Sequence, residues 1–564
     1  MPRLFPFLLL ALLALACAPA ASPTTSNPSS DPKQGGVLKV RAGLDPHDWD
    51  ITYSGKDVAN QGRVLAQESL LRLANASDSA RRESIIRPLL AESWEVSPDA
   101  KSFTFHLRRG VRFAPLPDPS TGLREPPPGG TGSGPSTSSG PSTSSGNGVM
   151  SGRELTSGDV RWSMEYQSRA GWFSKLPTAN IGWMLEGLER VDTPDPYTAI
   201  VRFKDPFSPF LNYAAHDFMP VLPHEVYDKD GSFKDTLAGT GPFQLDLAAS
   251  QNGTRWSYKK NQAYWDPGKP YLDEVSAIVI KDDATGIAAF QTKQIDQLDR
   301  LLNREADQVR KAAPGAVVDE QPQNPMHIYL NNSRPPFNNL LVRKAFSLAI
   351  DRDEFIRVMA DGRGAWALAG TLPETFSQEE IKQMVRNDPA AARQTLAEAG
   401  YPNGITIETP FPTDRGQIYL TRMELLQAQT ARGGFNLVTK GMLYDQYSGL
   451  RRRGEHTMQF ASREVVADVD SYLFATFHPS SGGNYDRVND PKLNALLEGQ
   501  RREPDPAKRG DLVQQAARYM ATDCYCGLAV YSGSVFWFWQ PHVKGITPNL
   551  DRAGWQVEDG WLDR

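Results

Sequence analysis

Eight histidines and three cysteines are the side chains best suited to metal or nucleophilic chemistry, and their spacing argues against most of it. His47, His106, His216, His224, His327, His456, His478 and His542 are scattered, with no HExxH pair or other ligand spacing among them. No GxSxG elbow would raise a serine nucleophile. The stretch Tyr227 to Phe233, "YDKDGSF", has the flavour of a calcium loop, but its glycine comes two positions too early for an EF-hand. No catalytic residue, metal site or cofactor is therefore expected, and a secreted hydrolase is the remote alternative.

The cysteines divide into one and two. Cys524 and Cys526 flank a single residue in "DCYCGLAV". A bridge across one residue is strained, and zinc would need further ligands nearby, so two semi-buried thiols are expected, with a bridge as the alternative. Cys17 is different. It follows the apolar run Leu4 to Ala16, which is too short to span a bilayer as a helix, and it is preceded by Arg3 and by the small-residue box Ala14-Leu15-Ala16. That pattern resembles a bacterial lipoprotein signal: residues 1–16 would be removed and the Cys17 thiol would carry a thioether-linked lipid. An ordinary signal peptide cut near Ala20 to Ser22 is the alternative, and export follows in both cases. Residues 18–36 hold Pro, Ser, Thr and Gly with no large apolar side chain, so a flexible tether is expected, over residues 17–34.

A third kind of chemistry is stacking. "DPHDWDITYSGKD" sets Trp49 and Tyr53 among Asp45, Asp48 and Asp50, a cluster able to line a cleft wall and to stack on a peptide or on the flat face of a sugar. A surface loop with one packed tryptophan would look the same.

The elements that must position such groups follow from composition and periodicity. The 564 residues exceed what one core supports, so two or three domains are expected. With 40% hydrophobic and 23% charged residues, the composition is that of a soluble globular chain. A net charge of −5 without a basic stripe makes nucleic acid an unsuitable partner. "VLKVR" from Val37 reads as a strand, and Ala59 to Leu73 as a helix. Trp94 and Val96, then Phe103, Phe105 and Leu107 across a Pro98-Asp99 turn, read as a hairpin with one apolar face. His106 falls on its polar face. Residues 114–153 carry the repeat GPSTSS twice and no apolar anchor, as a disordered insertion would. Thr156 or Ser157 should cap a helix. Residues 335–359 give a long amphipathic helix with Leu341, Ala345, Leu348, Phe355 and Met359 on one stripe, interrupted by Arg352. "SGSVFWFWQPH" is expected to be a strand where two domains meet. Strands and helices alternate throughout, which indicates an α/β architecture.

Five of these blocks, in this order, carry a resemblance: "LAESWEVSPDAKSFTFHLRRGVRF", "LTSGDVRWSMEY", "GTGPFQLD", "NQAYWDPGKPYLDEV" and "PPFNNLLVRKAFSLAIDRDEF". Together they resemble the extracellular solute-binding proteins of family 5, the oligopeptide- and dipeptide-binding proteins of ABC importers. The insertion after Phe113 departs from that pattern. The resemblance implies a two-lobed, hinged periplasmic-binding-protein fold with three domains. Lobe I would comprise residues 35–72, 218–321 and 535–564, the intermediate domain 73–217, and lobe II 322–534. It further implies a monomer that encloses a peptide, or an oligosaccharide or other small solute, and passes it to an ABC permease complex. Such a protein is periplasmic or at the cell surface, held to the membrane by its lipid anchor. Within "REVVADVDSYLF", Asp468 matches the aspartate that meets a peptide's amine in such proteins, with Asp470 as its neighbour. Arg463 lies near the position of a carboxylate-binding arginine, one residue out of register. Read from the residues alone, Asp468 and Asp470 would instead cap the helix that follows them.

Overall fold

The structure, a computed structural model, describes residues 31–43, 49–52, 57–75, 84–115, 152–176, 179, 181–323, 325–371, 375–414, 417–462, 468–548 and 555–564. Cys17, Tyr53, Arg463 and residues 116–151 of the Gly/Ser insertion lie outside them.

A seven-stranded mixed sheet organises the first body. The strand Val37–Ala42 runs parallel to Glu274–Val279, with Leu38 opposite Val275 and Val40 opposite Ala277. One face of this pair is apolar, with Leu38, Val40, Ala42, Val275 and Ala277 buried, while the other carries the exposed Lys39 and the buried polar side chains of Arg41, Glu274 and Ser276. Residues 33 and 34, assigned to the tether by composition, are held against this body. Lys33 Nζ lies 2.6 Å from Asp563 Oδ1, and Gln34 Nε2 donates to the Gly268 carbonyl at 2.8 Å. The helix expected over residues 59–73 is shorter: it spans Asp57–Ala66, and Leu71–Asn75 is already a strand.

Beside this sheet lies a second core, built on the four-stranded antiparallel sheet of Ala91–Val96, Ser102–Leu107, Leu188–Asp195 and Thr198–Phe203. The expected hairpin is there, with Trp94 opposite Phe105 and Phe103, Phe105 and Leu107 buried. The helix Ser157–Ser168 begins at Thr156 in a reciprocal capping box with Asp159. The ends of the insertion are tied together, since Phe113 N donates to the Arg153 carbonyl and Leu155 N to that of Val111.

The chain then crosses into another body, and it does so at two neighbouring places. Val317–Pro322 pairs antiparallel with Ser534–Trp539 at the edge of the first sheet. Three residues further on, Met326–Leu330 pairs with Leu528–Ala529 and Met458–Ser462 in a separate three-stranded sheet. The crossings at 323–325 and 530–533 are joined by Gln323 N donating to the Gly533 carbonyl at 2.7 Å. "SVFWFW" is thus the returning strand, with Val535 to Trp539 buried.

The long helix expected over residues 335–359 is two helices, Leu340–Leu348 and Arg352–Met359. Asp351 breaks it: its backbone is extended and its side chain accepts from Glu354 N, capping the second piece. Cys524 and Cys526 are bonded to each other, so the expectation of two thiols gives way to the alternative. Tyr525 adopts the left-handed conformation (φ 45°), which reverses the chain and brings the flanking Cα atoms to 5.1 Å.

Candidate functional site

The segment that carries Asp468 and Asp470 leads into the helix Asp470–Phe477, which is buried along its whole length. Tyr472, Leu473, Phe474 and Phe477 anchor it in one of the second body's cores with Leu493, Leu497 and Val513. That packing leaves the two aspartates where the second body meets the core built on the four-stranded sheet.

Both carboxylates are paired there. Arg509 forks onto Asp468, with Nη2 2.5 Å from Oδ1 and Nη1 2.9 Å from Oδ2. Asn212 Nδ2 donates to Asp468 Oδ2 at 2.7 Å, and Asp470 N donates to Oδ1 at 2.8 Å. Burial alone would raise the Asp468 carboxyl, but the Arg509 guanidinium and these donors hold it below its ordinary range. Asp470 is wholly buried. Arg501 approaches it with Nε at 3.0 Å from both oxygens and Nη2 at 2.9 Å, Tyr213 donates at 2.7 Å, and Gln500 donates to Oδ1. The Tyr213 phenol is pushed well up by burial and then by the charges of Asp470 and Asp468, so it stays a donor.

The arrangement is a polar seam between two cores. Asn212 and Tyr213 sit on the helix Phe210–Ala214, whose Phe210 and Tyr213 belong to the core of the four-stranded sheet. From the same side, Glu186 accepts from Arg501 Nη1 at 2.9 Å and from Ser480 Oγ at 2.8 Å. The Trp183 carbonyl accepts from Arg501 Nη2 at 3.1 Å, and Ser208 N donates to the Arg501 carbonyl at 2.8 Å. The Arg501 guanidinium also lies 3.4 Å from the centre of the Phe474 ring and 5.0 Å from that of Phe207. Neither Arg501 nor Arg509 was singled out in the sequence; each lies on a helix of ordinary amphipathic pattern.

Trp49 is placed elsewhere. Its ring is 3% exposed and packs edge-on against Trp256 at 5.9 Å within the first sheet's core, so it forms part of that interior and not a cleft wall. The neighbouring Asp50 is buried too, accepting from Tyr166 at 2.6 Å and Thr52 at 2.6 Å. The acidic cluster around Trp49 therefore includes a structural carboxylate joining the first body to the helix Ser157–Ser168. Among the described residues there is no group of three or more His, Cys, Asp or Glu side chains able to hold a metal, and no helix is long and apolar enough to cross a membrane.

Two bodies joined by adjacent strand crossings, with an intermediate core touching both, define the class of two-lobed solute-binding folds. Residues 150–484 match the model of the bacterial extracellular solute-binding proteins, family 5 Middle, and the chain belongs to that family, which binds solutes and is not enzymatic. It is 27% identical over 457 residues to heme-binding protein A of Haemophilus influenzae, covering 76% of each chain. It is 25% identical over 480 residues to the dipeptide-binding protein of Escherichia coli, covering 81% of this chain and 83% of that one. The fold is shared with the periplasmic binding protein DppA of Helicobacter pylori in complex with the peptide STSA, at TM-score 0.75 and 24% identity over 94% of this chain and 99% of the other. It is likewise shared with AgaA of A. tumefaciens in complex with agropinic acid, at TM-score 0.77, 20% identity and the same coverage.

Proposed function

We propose that this protein is the lipid-anchored receptor of an ABC importer, which captures peptides between its lobes and delivers them to the permease. The observation that carries the reading is the pair of adjacent crossings at 323–325 and 530–533. They let residues 322–534 swing as lobe II against residues 35–72, 218–321 and 535–564 as lobe I, with 73–217 as the intermediate domain. Hinge closure of this kind encloses a ligand without chemistry. Cys17 would carry the lipid and residues 17–34 the tether, keeping a monomeric receptor beside its permease at high local concentration. Replacing Cys17 by Ser should release the protein from the membrane fraction; retention there would refute the anchor.

In this reading the ligand's amine is met at Asp468, beside Asp470, while Arg463 would serve its carboxylate and Tyr53 would stack on it. An ammonium reaches Asp468 by taking the place of the Asn212 amide on Oδ2, which keeps the carboxylate paired with Arg509 throughout. That exchange matters, because an unpaired charge in a closed cleft costs several kcal/mol. One observation favours a second reading. Both acids of the segment are already satisfied within the protein, which suits a solute held by other groups, such as an oligosaccharide. A relative named for heme binding and a protein of the same fold in complex with agropinic acid support this second reading.

Mass spectrometry of small molecules released by denaturing the purified protein separates the two. Recovered peptides support the peptide receptor, and Asp468→Asn should then weaken their binding. Recovered sugars or other solutes without an amine would refute it.

A further inference from the structure

Arg352, the residue that interrupts the apolar stripe of the long helical segment, has no role in the reading above. It begins the helix Arg352–Met359 and is 1% exposed. Its Nη1 donates to the Val385 carbonyl at 3.0 Å, and Nη2 is 3.5 Å from the Ala529 carbonyl. Its Nε has no acceptor and its guanidinium no carboxylate partner among the described residues. Burial pushes its pKa down only to about 10, so it remains a cation at neutral pH. Besides the Trp366 ring, whose centre is 5.7 Å from the guanidinium carbon, this buried charge is served by only two carbonyl oxygens and is under-compensated.

Arg352 lines a cavity of about 10 Å³ in lobe II, together with Leu330, Ser347, Leu368 and Met520 among others. Arg343, a second buried guanidinium, lines it as well. Its Nε and Nη2 donate to the Cys524 carbonyl at 3.1 and 2.8 Å, and Nη1 donates to that of Phe337 at 2.8 Å. Guanidinium groups donate and never accept, so two of them on one cavity present positive potential and hydrogen-bond donors together. The 10 Å³ is the room within which the centre of a water-sized particle can move, so the cavity admits one water molecule or a slightly larger monatomic anion. A water would satisfy the Nε donor but leave the charge in place. A phosphate or sulfate is too large.

We propose that this cavity binds a single monovalent anion of chloride size, held at Arg352 with Arg343 in the same lining, as an internal counter-ion of lobe II. The ion is distinct from the transported solute: it completes the packing around the helix start at Arg352 and the disulfide loop that ends at Cys526.

Two measurements on the full chain test this. In crystals soaked in sodium bromide, an anomalous peak is expected within hydrogen-bond distance of the Arg352 guanidinium; density there with no anomalous signal would identify a water and overturn the proposal. Separately, the thermal midpoint is followed as chloride replaces gluconate at constant ionic strength. A rise of roughly 3 °C is expected in the parent protein between low and high chloride, and no such rise in Arg352→Met. An equal chloride response in both proteins would overturn the site. Should Arg352→Met fail to fold, the bromide measurement on the parent protein still decides.

Discussion

Replacing Arg501 by Met offers the most searching test of the seam. Arg501 is 6% exposed and makes three contacts of 2.9–3.0 Å with Asp470, and it reaches Glu186 and the Trp183 carbonyl on the other side. Burial opposes its charge, but Asp470, with Tyr213 and Glu186, more than compensates and holds the guanidinium above its ordinary pKa. Methionine keeps much of the stem volume against Phe474 and removes the charge. Asp470 is then left wholly buried with Tyr213 and Gln500 as its remaining side-chain donors. Removing one partner of a buried ion pair costs about 3–5 kcal/mol, because the other charge stays desolvated. Urea unfolding at neutral pH, analysed by linear extrapolation, should show that loss, and adding Asp470→Asn should restore much of it. The same variant severs the Glu186 and Trp183 contacts between the bodies, so bound ligand should dissociate faster in stopped-flow. A loss below about 1 kcal/mol, the level of an exposed pair, would refute the energetic argument. An unchanged dissociation rate would show that the Glu186 and Trp183 contacts do not slow ligand release.

Two further outcomes are expected. Glu68 is buried and, despite hydrogen bonds from Thr240, Tyr264 and Trp265, burial lifts its pKa from 4.5 to about 7. The folded form therefore binds the proton more tightly than the unfolded chain does, and its contribution to stability is lost as pH rises from about 4.5 through about 7. Glu68→Gln should accordingly gain on the parent protein between pH 5 and 8, by an amount on the order of 2–3 kcal/mol; parallel pH profiles of urea unfolding would contradict this. Gly241→Ala should destabilise by about 1–3 kcal/mol, since a Cβ there would lie 2.6 Å from the Ala66 carbonyl carbon and 2.7 Å from the Leu65 oxygen, both backbone atoms that cannot turn aside. Thermal unfolding of the variant at an unchanged midpoint would show that the backbone yields.

Much of the fold could be read locally. The hairpin at Trp94–Leu107, the capped helix after Thr156 and the strands Val37–Ala42 and Glu274–Val279 follow from alternation, capping residues and apolar runs, all of which act over a few neighbours. One misjudged boundary has a local cause. Residues 335–359 keep a helical period across Asp351, but that residue does better as an extended cap than as a helical residue, a choice its spacing does not reveal. The candidate site was half legible. Asp468 and Asp470 stood out by motif, yet their guanidinium partners lie 31 and 41 residues further along, on helices whose polar faces look like any solvated surface.

What the sequence determined by itself, then, is whatever depends on near neighbours: much of the order of strands and helices, and the family to which that order belongs. Tertiary structure decided which charges are buried and with whom. It turned Trp49 from a stacking candidate into core, closed Cys524 onto Cys526 through the reversal at Tyr525, and tied Asp468 and Asp470 into a seam between two bodies. The physical reason is that desolvation and ion pairing depend on what surrounds a side chain in space. For residues hundreds of positions apart, such as Tyr213 and Asp470, only the folded chain supplies those surroundings.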